Sequence, residues 1–326
     1  MDDSWLTQTT GEINHHDPNQ DNGNQPVRVL HKILKFFFYT SNASFAKELY
    51  ELMVSGGIKI EIEITTGDEA IIQNSKELTP YVDANKQLEI HESFLSYVWC
   101  ISYSMYILYN ETVDYPNINK DEGFEKYKQS PEEIERAKLL LEYGLSIIHI
   151  FTEWDKDKLP NPEIFQAELK DYTQQSSAIF TEAIKWILAH EYTHIKDHID
   201  QISSKTTNSH IFKWELEADE NATQVLKESI KDESHSIFVH GGIVCAILSL
   251  MFLSSETKSV THPNTEDRLT NALEQLDLTD DNFAWGLSCL GLKYWGNTYG
   301  KTIDLKKVGN SYKDLYYCII KQIKSQ

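Results

Sequence analysis

Between Ser176 and Ile199 the apolar residues Phe180, Ile184, Ile187, Leu188, Ile195 and Ile199 return at helical spacing, with no Pro or Gly among them. This pattern predicts one unbroken helix with a buried face. A second helix is predicted downstream, where Ile211, Trp214, Ala218, Ala222 and Val225 share a mostly apolar face and Asn208 or Ser209 can cap the start. Ile237 to Leu253 is almost wholly apolar. Its length is near the lower limit for a membrane span, and His240, Gly241, Gly242 and Ser249 weaken that reading, so a buried core helix is expected. The aromatic run Phe94 to Tyr109 carries Ser and Tyr, which mark a packed helix and not a lipid-facing one. Ser130, Pro131 and Glu133 form a helix start, with a capping hydroxyl, a proline at the first helical position and a capping-box carboxylate. That helix is expected to run to about Phe151.

Strand patterning is confined to the first third of the chain. A helix is predicted from Val27 to Tyr50, after which Lys59 to Ile64 alternates charged and apolar residues in strand fashion. Thr66, Gly67 and Asp68 read as a turn, and shorter extended pieces near Ile71 and Leu88 would complete a small antiparallel sheet. Asn110 to Gln129, with Pro116 and Gly123, reads as a surface loop. Residues 1–27 are polar and have too little apolar content to offset the entropy of ordering, which predicts a flexible tail. His15 and His16 within it can bind metal adventitiously. The expected organisation is therefore a tail at 1–27, an N-terminal α+β region at 28–165 and a helical region at 166–326 that carries the chemistry. The fold class is α+β and mostly α-helical.

Composition narrows the setting. A formal charge of −20, from 30 basic and 50 acidic residues, repels phosphate backbones and argues against nucleic-acid binding. Cys100, Cys245, Cys289 and Cys318 are far apart and form no Cys-x-x-Cys pair, so neither a zinc ribbon nor a dense disulfide framework is suggested. The N-terminus is acidic where a secretory leader would be basic and then apolar, which points to the cytoplasm, without membrane insertion.

The chemistry concentrates in His190-Glu191-Tyr192-Thr193-His194. At 3.6 residues per turn, His190 and His194 stand one above the other, so both imidazoles can reach one zinc ion at roughly 2.0 to 2.1 Å. Glu191 then sits beside the metal as a general base. A catalytic zinc needs a third protein ligand and an open position. His198 extends the spacing, but on an unbroken helix it lies about 12 Å of rise from His190, and it is read as a partly exposed histidine or one that supports a ligand. Glu215 is the better candidate. Asp219, four residues on, shares its face and can accept the hydrogen bond from a ligand imidazole's other nitrogen. Glu217 and Glu220 are read as ordinary solvated acids.

Three segments in combination carry a resemblance: His190 to His194, then Glu215-Leu216-Glu217-Ala218-Asp219, then Thr261-His262-Pro263-Asn264-Thr265-Glu266-Asp267-Arg268-Leu269. Together they look like gluzincin metallopeptidases of the HtpX and CAAX-prenyl-protease type. The resemblance implies a zincin-like fold whose edge strand aligns substrate, with His190, His194 and Glu215 as zinc ligands, Glu191 as base and Asp219 as support. His262 and Arg268 would lie near the active site, where either can face the developing oxyanion. Arg268 can instead form an ion pair with Glu266 or with the Glu215 helix, and His262 can instead take the open zinc position and hold the enzyme latent. The remainder of the chain, Ile90 to Trp99 in particular, is more similar to the phage-exclusion protease Lit family. That similarity implies a phage-defence protease acting on a protein substrate, elongation factor Tu. The alternatives are a housekeeping gluzincin of protein quality control and a zinc-stabilised binding or sensor protein without catalysis.

Overall fold

The computed structural model describes residues 25–59, 62–66, 79–82, 85–118, 127–163, 170–305 and 310–325. His15, His16 and the extended piece near Ile71 lie outside the described residues. The expected tail does not reach residue 27, because Gln25 and Val27 are buried and the Gln25 amide donates to the buried Glu92 carboxylate at 3.2 Å.

After a tight turn at Pro26–Leu30, the predicted first helix is split in two, α1 (His31–Tyr39) and α2 (Ala43–Val54). The break has a local cause. Thr40 and Ser41 turn their hydroxyls back onto the Phe36 and Phe38 carbonyls, and Asn42 caps the next helix by accepting from the Phe45 amide. Such side-chain bonds to the backbone compete with helix propagation.

Three short strands follow, β1 (Glu63–Thr65), β2 (Tyr81–Val82) and β3 (Leu88–His91). The sheet order is β1-β3-β2, with β1 parallel to β3 and β2 antiparallel to it. The sheet is therefore mixed where an antiparallel one was expected. Alternation predicts that a segment is a strand, but it carries no information on the direction of its partner.

From β3 the chain enters α3 (Glu92–Tyr109), which is buried along nearly its whole length. The predicted loop after it is helical through Ile118, by way of a wide turn at Asn110–Asp114. Glu111 explains why this polar segment is held inside. Its buried carboxylate accepts from the Tyr127 and Tyr172 hydroxyls and from the Ser130 amide, each at 2.8 Å. Ser130 caps α4 (Pro131–Ile147) as its sequence predicts, and the helix stops four residues short of Phe151.

The remaining helices are α5 (Lys170–Thr193), α6 (Asn208–Glu228), α7 (Glu233–Met251), α8 (Thr265–Gln275), α9 (Phe283–Thr298) and α10 (Tyr312–Lys324). The residue before α6 is Thr207, not Asn208 or Ser209, and its amide donates to His210 Nδ1 in the first turn. Helix α5 is central and packs on α3, α6 and α7. At the α5–α7 crossing a Cβ on Gly242 would lie 2.4 Å from Glu182 Cβ and 2.8 Å from the Ala183 amide, so only glycine permits this approach. Among the described residues α7 is the one helix long and apolar enough to cross a membrane, yet Val239 to Ser249 is buried in the protein. The buried apolar side chains form one cluster from Val27 to Ile323, which draws on both halves of the chain.

Candidate metal centre and cleft

Helix α5 reaches the site as an α-helix through Thr193 and then widens over His194–His198, where backbone bonds span five residues. Such widened turns occur frequently at functional sites. His190 and His194 lie on the same face, with their Nε2 atoms 3.1 Å apart. Helix α6 brings Glu215 against both, with Oε2 3.3 Å from His190 Nε2 and Oε1 3.4 Å from His194 Nε2. The donor atoms of His190, His194 and Glu215 lie within 4.8 Å of one another, and this is the group that could hold a metal ion among the described residues.

The tautomers support that reading. Asp219 Oδ1 faces His190 Nδ1 at 2.9 Å, and a carboxylate there selects the Nδ1–H form, leaving the Nε2 lone pair aimed at the other donors. Glu215 Oε2 is buried and has no hydrogen-bond partner. Two imidazole nitrogens and a buried carboxylate converge on one point, an arrangement that a bound cation would stabilise. Burial opposes a charge on Glu215, but the two imidazoles hold its carboxyl well below the usual range.

Arg268, from α8, is buried and directs one edge of its guanidinium at Asp219, with Nε to Oδ2 at 2.7 Å and Nη2 to Oδ1 at 2.6 Å. This is the ion pair with the Glu215 helix that was one of the two readings of Arg268, and the residue also lines the cleft. Burial resists the charge on Asp219, yet Arg268 and His190 keep its carboxyl below the ordinary value. Trp186, which the sequence reading did not single out, sits one turn before His190 and stacks on its ring at 5.9 Å. Arg268 also packs on this indole, with its guanidinium carbon 5.7 Å from the ring centre. The i, i+4 spacing of Trp186 and His190 was the signal for this contact.

Of the two readings of His198, partly exposed or in support of a ligand, the structure has the second arrangement. The residue is buried at 3% exposure, with Nδ1 3.0 Å from His194 Nδ1 and Nε2 3.1 Å from Glu217 Oε2. Glu217 is thus engaged with the site and is not merely a solvated acid. His262, on the loop before α8, is about half exposed and places Nε2 3.4 Å from Glu215 Oε1.

Glu191 and His262 both line a cleft of about 740 Å³ that opens over the donor group. One wall of the cleft is the segment Thr79–Val82, which contains edge strand β2, and the other is the loop carrying Lys258 and His262. Burial pushes the Glu191 carboxyl above its ordinary value, and the neighbouring imidazoles partly oppose that shift.

A mostly helical α+β protein with a two-histidine, one-glutamate group at the floor of an open cleft, and a free-standing acidic side chain beside it, has the site of a hydrolase. The chain belongs to the peptidase U49 family, whose profile matches residues 88–288 and so spans every residue of the site. It is 25% identical over 231 residues to the cell death peptidase of Escherichia coli (strain K12), covering 68% of this chain and 73% of that one. No solved structure matches it.

Proposed function

We propose that this peptidase is a zinc-dependent endopeptidase in which His190, His194 and Glu215 hold the metal and Glu191 is the general base. The observation that carries the reading is the convergence of those three donors beside Glu191 at the floor of an open cleft. Zinc in a site with three protein ligands supplies a Lewis acid for the scissile carbonyl and a water of lowered pKa. Glu191 takes the proton from the attacking water and returns it to the leaving amine. Asp219, held by Arg268, orients His190 for metal binding. His262 faces the site from the opposite wall and is the donor proposed for the negative charge developing on the carbonyl oxygen. The segment containing β2 is suited to align an extended peptide across the cleft.

A purely structural zinc site would have four protein ligands and no open position. The cleft and the presence of Glu191 favour catalysis over the non-catalytic reading. The similarity to a cell death peptidase favours a role in cell suicide over housekeeping proteolysis. Together with the resemblance to the phage-exclusion family, it makes elongation factor Tu the first substrate to test and a phage-defence role the working assignment.

The test is digestion of purified elongation factor Tu, and of unrelated proteins, by the wild type and Glu191→Gln. The variant is expected to keep stoichiometric zinc while cleavage falls by roughly 10²- to 10⁴-fold. His190→Ala and Glu215→Ala are expected to lose the metal. Cleavage by Glu191→Gln at the wild-type rate would overturn the assignment of the base, and zinc retained by Glu215→Ala would overturn the assigned ligand set.

A further inference from the structure

The two ligand imidazoles are supported differently. His190 has a carboxylate directly on its Nδ1, whereas the partner of His194 Nδ1 is another imidazole, His198, at 3.0 Å. Two Nδ1 atoms at that distance share one proton, and two arrangements are possible. If His198 donated, its Nε2 would carry a lone pair toward Glu217 Oε2 at 3.1 Å, and His194 Nε2 would carry a hydrogen into the donor group. The first contact would be unfavourable, and in the second the Nε2 hydrogen would bar His194 from binding an ion. If His194 donates, His198 Nε2–H donates in turn to Glu217, and the His194 Nε2 lone pair joins those of His190 and Glu215. The Glu217 carboxylate is also paired with Lys213, whose Nζ lies 3.0 Å from its other oxygen on the same helix. The ring plane of His198 is fixed by Trp214, which stacks on it at 5.4 Å and 15°.

We infer that His198 is a positioning residue for the metal ligand His194, with Glu217 selecting through His198 the tautomer in which His194 Nε2 is free to bind the ion. The inference rests on the metallopeptidase reading and deepens it. It assigns a role to the widened turn at His194–His198, which brings the two rings together at the end of α5. It also makes α6 contribute twice to the site, once through Glu215 and once through Glu217.

The experiment compares zinc affinity of the full chain, by competition with a chromophoric chelator, in the wild type, His198→Phe and His198→Asn. Phenylalanine retains a ring to stack on Trp214 but cannot accept the proton. Asparagine loses the ring and places an acceptor oxygen near the Nδ1 position. His198→Phe is expected to bind zinc roughly 10- to 100-fold more weakly, the usual effect of losing a ligand's hydrogen-bond partner, with His198→Asn closer to wild type. A role in packing alone would give the reverse order. Wild-type affinity in His198→Phe, or equal losses in both variants, overturns the inference. If His198→Phe does not fold, Glu217→Leu at a half-exposed position reads the same chain of bonds: weakened zinc binding supports the inference, and unchanged binding overturns it. A wild-type protein that takes up no zinc would instead sink the metallopeptidase reading itself, so the two failures are distinguishable.

Discussion

At the scale of single residues, the site depends on charges that are affordable only in pairs. Asp219 and Arg268 are both buried, and each satisfies the other through two hydrogen bonds while Asp219 also orients His190. Removing one partner of such a pair leaves an uncompensated buried charge, so Arg268→Ala is expected to destabilise the metal-free protein by about 3–5 kcal/mol. Urea unfolding in the presence of chelator measures this directly. Arg268→Lys should recover only part of the loss, because an ammonium cannot reproduce the planar two-bond fork. A midpoint unchanged in Arg268→Ala would mean that Asp219 is held by His190 alone. The pairing of Asp219 with a ligand imidazole was legible from its position four residues after Glu215. Its pairing with Arg268 was one of two alternatives, because Glu266 in the same segment is an equally plausible carboxylate until the helices are packed.

At the scale of elements, α7 shows how burial converts a titratable side chain into a pH-dependent contribution. His240 is 8% exposed, its Nδ1 has no hydrogen-bond partner, and burial, reinforced by the charge of Lys227, lowers its pKa to about 4. The folded value lies below the unfolded one, near 6.5, so the folded protein holds a neutral ring that the unfolded chain protonates first. This contribution to stability is present above pH 6.5 and is lost as the pH falls toward 4, up to about 3 kcal/mol in all. His240→Leu is expected to flatten that part of the profile, so that its unfolding midpoint drops less than the wild type's between pH 7 and pH 4. Parallel slopes in the two proteins would show that the His240 ring takes up its proton in the fold as readily as in the unfolded chain. The helical pattern of α7 was plain in the sequence. Its central position was not, because an almost wholly apolar segment gives no preferred face, and only the close approach at Gly242 fixes how it crosses α5.

At the scale of the whole molecule, the proposed ligands come from two helices, α5 and α6, joined by a connection whose Thr206 lines the cleft. An ion bound there ties these helices together in the folded state only. Zinc at a hundredfold excess over its dissociation constant should therefore add about 2.7 kcal/mol. Exhaustive dialysis against a chelator is expected to lower Tm by several degrees, and zinc but not magnesium should restore it, since imidazole ligands suit zinc and a hard oxygen-seeking ion does not. An identical Tm with and without chelator would mean that the folded protein does not bind the ion.

The sequence by itself determined the two helices that carry the site and the side chains that share a face on each, His190 with His194 and Glu215 with Asp219, because positions four apart are brought to one face by helix geometry alone. It also located the start of α4, where Ser130 and Pro131 act on the adjacent backbone. Tertiary structure decided what local spacing cannot express: the parallel pairing of β1 with β3, the burial of Glu111 beneath two tyrosines, the choice of Asp219 by Arg268, and the link from His198 to Glu217. Each of these joins segments that are distant in the chain or turns on a departure from regular helix, and its energy exists only once the surrounding elements have excluded water from it.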